Sequence, residues 1–155
     1  MATMSITISV DDAQVQATLR RLQQRVSNLR PALAAVANEL QSVTDHAFQT
    51  ETDPATGRRW QDLADSTKKS RTKVGKWPGQ ILQMSAGGLV ASIQPQSSDT
   101  FAEVGTNKVY AAIHQFGGRA GRNHASIIPA RPFLGLGADD KAEIIAILER
   151  HIVAE

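Results

Sequence analysis

Cysteine is absent from this chain of 155 residues. That one absence excludes disulfides, thiolate zinc sites and thiol nucleophiles, and it suits a protein made in a reducing cytoplasm. Aromatic residues are scarce at 5%, so a core drawn from 41% hydrophobic residues must be largely aliphatic. No stretch approaches the ~18 consecutive apolar residues that a membrane-spanning helix needs. The opening MATMSITISVDD has no positive region followed by an apolar one, so it does not read as a secretion signal. The expectation is a soluble, unexported protein without membrane contact, folded as a single domain over residues 1–155.

Catalytic constellations are missing as well. Of the four histidines, His46 has no His or Glu partner one helical turn away and His151 lies in a terminal turn. His114 and His124 are separated by a glycine-rich stretch without a carboxylate. Zinc-ligand spacings are therefore not met. Asn123-His124 is only superficially like an HNH nuclease, which needs further ligands on a strand–helix metal finger. Gly117 to Arg122 has the glycines of a phosphate loop without the following Lys-Ser/Thr. No serine stands in a nucleophile elbow. The expectation is a protein that is not an enzyme and that uses no metal or cofactor.

What is present is an uneven charge. Residues 1–53 carry four Lys/Arg against six Asp/Glu, residues 54–136 eleven against four, and residues 137–155 two against five. Such a layout suits a nucleic-acid surface, and equally an assembly in which one subunit's basic face meets the next one's acidic helix.

Ser5 to Val10 alternates polar residues with apolar β-formers and reads as a strand. Asp11 is placed to cap a helix, with Gln14 at capping-box spacing. In that helix Val15, Leu19, Leu22, Val26 and Leu29 are spaced 4, 3, 4, 3, and after a break at Asn28 to Pro31 the residues Leu33, Val36, Leu40, Val43 and Ala47 repeat the pattern. These two stripes predict a helical hairpin, their apolar faces filling either a core or an intermolecular coiled coil. Asp53-Pro54-Ala55-Thr56-Gly57 has turn chemistry, and Trp60 returns the chain to the core. Residues 64–72 could begin a short helix, but Lys68, Lys69, Arg71, Lys73 and Lys76 fall within nine residues that hold no acid. Residues 68–80 are therefore read as a mobile basic loop.

Ile81 to Ile93 reads as a helical turn running into a strand. Ser92–Pro95 and Thr100–Gly105 flank a polar turn and predict a β-hairpin. Val109 to Phe116 predicts a two-turn helix ended by Gly117, and residues 117–125 a flexible glycine-rich loop. Pro129 and Pro132 make Ile127 to Leu134 extended and place it at a sheet edge. A last helix is predicted from about Asp139, with Asp140 and Glu143 at capping-box spacing. The class that results is α+β: an N-terminal helical hairpin and a C-terminal helix packed with a small, mostly antiparallel sheet.

Several of these segments carry a resemblance. Phe48, then Asp53-Pro54 with Gly57, Trp60, Leu63 and Thr67 resembles an aromatic, an acidic proline-glycine turn, a tryptophan and a Leu-x-x-x-Thr stretch of the phage virion morphogenesis (tail completion) family of Mu-like and P2-like phages. Ile81-Leu82, Gly88-Leu89 and Ser92-Ile93 are similar to its next block. Val104 to Asn107, Tyr110 to Gly118 and Ile128 to Gly135 follow in order, the last two being its most specific motifs.

The resemblance implies an assembly protein at the phage neck or tail end, made in the host cytoplasm and built into the virion. It would work as a self-associated ring of about six copies against tail-tube or head-connector proteins. It also draws attention to Tyr110, Gln115, Phe116, Pro129, Arg131, Pro132 and Phe133 as subunit or partner contacts. Aromatics there could equally pack one core, and Arg131 could equally bond backbone carbonyls. Lys68, Lys69, Arg71, Lys73 and Lys76 would face DNA in the channel. The other reading is a basic DNA-binding module of a prophage, using residues 68–76 and 119–122.

Overall fold

A computed structural model describes residues 13–153, leaving aside the side chains of 14–16. The strand expected over Ser5 to Val10 and the cap expected of Asp11 and Gln14 lie outside the described residues. Among those residues the class is α+β, with helices α1 (Ala13–Ser27), α2 (Arg30–Thr50), α3 (Asp65–Lys73), α4 (Ala111–Phe116) and α5 (Ala138–Val153). Strands β1 (Gln94–Ser97) and β2 (Ala102–Gly105) form one antiparallel pair. Strands β3 (Gly118–Ala120) and β4 (Ser126–Ile128) form another.

The core is organised by α2. Pro31 sits in its first turn, where a missing N–H costs nothing. Its stripe then buries Val36, Val43, Ala47 and Phe48, and buried Thr44 satisfies its hydroxyl on the Leu40 carbonyl at 2.9 Å. Phe48 meets Trp60 edge-on, with ring centroids 5.6 Å apart, and lies 5.2 Å from Phe133. Leu63, Ile81, Leu89, Ile93 and Ala111 close around these rings. α2 ends on Glu51 in the left-handed region at φ 56°. The Glu51 carboxylate accepts the Ile81 N–H at 2.7 Å and its carbonyl accepts the Trp60 N–H at 2.7 Å, so the helix end pins two later segments.

α1 contacts α5, as does α2, while direct contact between α1 and α2 is slight. His151 closes the end of α1 by donating from Nε2 to the carbonyls of Asn28 (2.8 Å) and Arg25 (3.2 Å). The Asp53 turn forms as expected: its carboxylate accepts the Ala55 N–H and the Thr56 hydroxyl, and Gly57 takes φ 71°. The β1–β2 hairpin also forms, its first strand two residues later than the sequence placed it and its second starting two residues later but ending at the same Gly105.

Five expectations need correction. Residues 68–73 belong to α3 rather than to a loop, because Asp65 in the first turn and Arg71 and Lys73 in the last complement the helix dipole. Residues 117–125 are no open loop: β3 leads into a turn and pairs with β4, through positive φ at Gly118, Gly121, Asn123 and His124. Beyond Ile128 the segment to Leu134 leaves the sheet, as prolines at 129 and 132 supply no ladder donors. In Ile81 to Ile93 the only helical element is a 3₁₀ turn at Val90–Ser92. The capping box of α5 is shifted one turn upstream: the Gly137 N–H donates to the Asp140 carboxylate at 2.7 Å, whereas Glu143 pairs with Arg150.

Candidate interaction surface

Two sequence blocks that stand apart in the chain become one frame. α4 is only six residues long, and Gly117 ends it at φ 72° with its N–H on the Ile113 carbonyl at 2.8 Å. The Gln115 amide then reaches across to the segment after β4. Its Oε1 accepts the N–H groups of Phe133 and Leu134, both at 3.0 Å, and its Nε2 donates to the Leu134 carbonyl at 2.8 Å. The Arg131 N–H adds a bond to the His114 carbonyl at 2.7 Å.

A third block joins through Arg131. Its guanidinium is buried and donates from Nε to the Gln61 carbonyl (2.8 Å) and from Nη2 to the Asp62 carbonyl (3.0 Å). Trp60 returns the link, its indole N–H donating to the Pro132 carbonyl at 2.7 Å. Burial, together with the neighbouring Arg71 charge, pushes the Arg131 pKa down from its ordinary value. Burial and then the Arg131 charge lower that of His114, which favours a neutral ring.

The residues singled out from sequence therefore divide. Phe133 is fully buried, so the partner contact expected of it gives way to a place at the centre of the core. Arg131 and Gln115 spend their polar groups inside the chain, and Pro129 and Pro132 are half-buried in the strap they form. Tyr110 and Phe116 face outward, Phe116 being 78% exposed. Val109, before α4, is 97% exposed, and Ile127, in β4, is 73% exposed. Val109 is expected from sequence as the first residue of a two-turn helix, but α4 starts only at Ala111 and leaves it outside.

The basic run divides too. Lys68 pairs with Asp62 at 2.6 Å and lies 5.4 Å from the centre of the Trp77 ring. The Lys68 hydrogen bond, and next the Leu63 N–H, hold the Asp62 carboxyl below its usual range. Arg71 is buried and donates to the Gln80 carbonyl at 2.9 Å. Lys69, Lys73 and Lys76 remain exposed. Among the described residues no group of His, Asp and Glu is arranged to hold a metal ion, and no helix is long and apolar enough to cross a membrane.

The sequence model of the phage virion morphogenesis family matches residues 10–153. The chain is 36% identical over 150 residues to "Mu-like prophage FluMu G protein 1" of Haemophilus influenzae, covering 96% of each. It is 33% identical over 152 residues to "Putative capsid assembly protein G" of Escherichia phage Mu, covering 97% of this chain and 96% of that one. No solved structure matches.

Proposed function

The chain belongs to the phage virion morphogenesis family, and from that premise we propose that it is a structural component of the head–tail junction, associating with copies of itself in a ring and docking neighbouring tail-tube or head-connector proteins. The observation that carries this reading is the frame of α4 and the 128–134 strap. Gln115 and Arg131 bond it together from within, while Phe116 at the end of α4, and Val109, Tyr110 and Ile127 next to the frame in the chain, are exposed. Large apolar side chains on a fixed backbone are what a subunit interface uses as anchors, because the backbone beneath them needs no further ordering on binding.

The test separates folding from assembly. Phe116→Asp and Ile127→Asp change exposed positions, so both variants should keep the circular dichroism and melting temperature of the parent. Loss of a central anchor typically costs about 2 kcal/mol or more, roughly 30-fold in affinity at each junction. Either variant, supplied to a phage that lacks the protein, should give few infectious particles and leave heads and tails unjoined in micrographs. Full complementation by both would overturn the proposal.

A further inference from the structure

Two helices with the same apolar spacing meet different fates. The stripe of α2 is consumed by the core, whereas on α1 Leu19 is 55% exposed, Val26 54% and Leu22 36%. Leucines and valines repeating at 3–4 spacing form a seam for another helix, and this seam has little cover in its own chain.

α5 carries a second uncovered line. Ile145 is 55% exposed and Val153 71%, and the exposed Glu149 stands between them at steps of four residues. The charges of the two helices are complementary. α1 holds Arg20, Arg21 and Arg25 and no acid over Ala13–Ser27. α5 holds Asp139, Asp140, Glu143 and Glu149 against Lys141 and Arg150. Within the chain Arg25 and His151 tie the C-terminal turns of α1 and α5 together, yet Leu19 and Ile145 stay exposed.

We propose that α1 of one copy lays its Leu19–Leu22–Val26 stripe along the Ile145–Glu149–Val153 line of α5 in a second copy, setting a helix of net positive charge against one of net negative charge. The inference rests on the self-association proposed above and names the surface that carries it. Pairing α1 with α1 would set arginines against arginines, and pairing α5 with α5 would set carboxylates against carboxylates; both are disfavoured. The contact is thus heterologous: each copy offers α1 to one neighbour and α5 to the other, so it continues from copy to copy and can close into a ring.

Absence of native cysteine makes the contact directly readable. Leu19→Cys protein is mixed in equal amounts with Ile145→Cys, Glu149→Cys or Val153→Cys protein, all full-length, and oxidised mildly. A disulfide between two different variants can only join two copies, and the three α5 positions sample the line in steps of one helical turn. At least one mixture should give a mixed dimer about tenfold in excess of either like dimer. Val26→Asp should weaken association by about tenfold or more, read by light scattering, without lowering the melting temperature. Self-association that persists with only like dimers, with no dimer, or unaffected by Val26→Asp overturns this contact and leaves the proposed ring standing. A parent protein that stays monomeric at every concentration overturns both.

Discussion

Arg131 shows what a single residue lends to this fold. Flanked by Ala130 and Pro132, it stands where a planar guanidinium could serve a partner or nearby carbonyls, and sequence cannot separate the two. The carbonyls it serves belong to Gln61 and Asp62, about seventy residues upstream, and no local pattern encodes a bond of that range. Removing the side chain strands two acceptors beside the core, where each charge-assisted bond contributes about 1.5–3 kcal/mol. Arg131→Ala should therefore lower stability by about 2–4 kcal/mol, or some 5–15 °C in melting temperature for a chain of this size. Arg131→Lys should recover less than half of that, since a point charge cannot hold two carbonyls in fork geometry. A thermal melt of Arg131→Ala that overlays the parent would show the clamp to be incidental. Gln115 was legible as important only through the resemblance; its three bonds to the strap depend on a tertiary approach that periodicity does not carry.

At the scale of elements, legibility followed the strength of local signals. The long helices and the β1–β2 hairpin could be read because apolar period and turn residues agree. The β3–β4 hairpin could not, because its strands contain no alternating pattern and its glycines read as a loop. α3 was obscured by its basic run, since Arg71 is turned inward to the Gln80 carbonyl rather than left to repel its neighbours. Gly117 is the pivot of the hidden hairpin. A Cβ there would lie 2.8 Å from the Ala130 nitrogen and 3.0 Å from the Ile128 oxygen, with φ already at 72°. Gly57 has nearly the same φ, 71°, but open space around it. Gly57→Ala should thus cost only the left-handed backbone strain, about 1 kcal/mol. Gly117→Ala adds a clash with backbone and should cost at least about 2 kcal/mol more. Equal denaturation midpoints for the two variants would mean that the approach at Gly117 relaxes freely.

The whole molecule is not uniformly anchored. Its buried rings and aliphatic side chains gather where the C-terminal half of α2 meets Trp60, Ile81, Leu89, Ile93 and Phe133. α5 has no fully buried residue, and none of the α1 side chains described is buried. Local stability follows buried apolar contact, so opening of α1 should require far less free energy than unfolding of the core. Native-state hydrogen exchange on dilute full-length protein measures this directly. Amides of α2 between Val36 and Phe48 should exchange only through global unfolding, and those of α1 through an opening lower by at least about 2 kcal/mol. Raising the concentration until copies associate should then slow exchange in α1 more than in α2, because an intermolecular seam covers the helix that its own chain leaves open. Both halves of the prediction stand on one physical ground, the exposure of Leu19 and Val26. α1 amides protected as strongly as α2 amides in dilute monomer would remove that ground, and with it the reason for a helix of such regular spacing to seek a partner outside its chain.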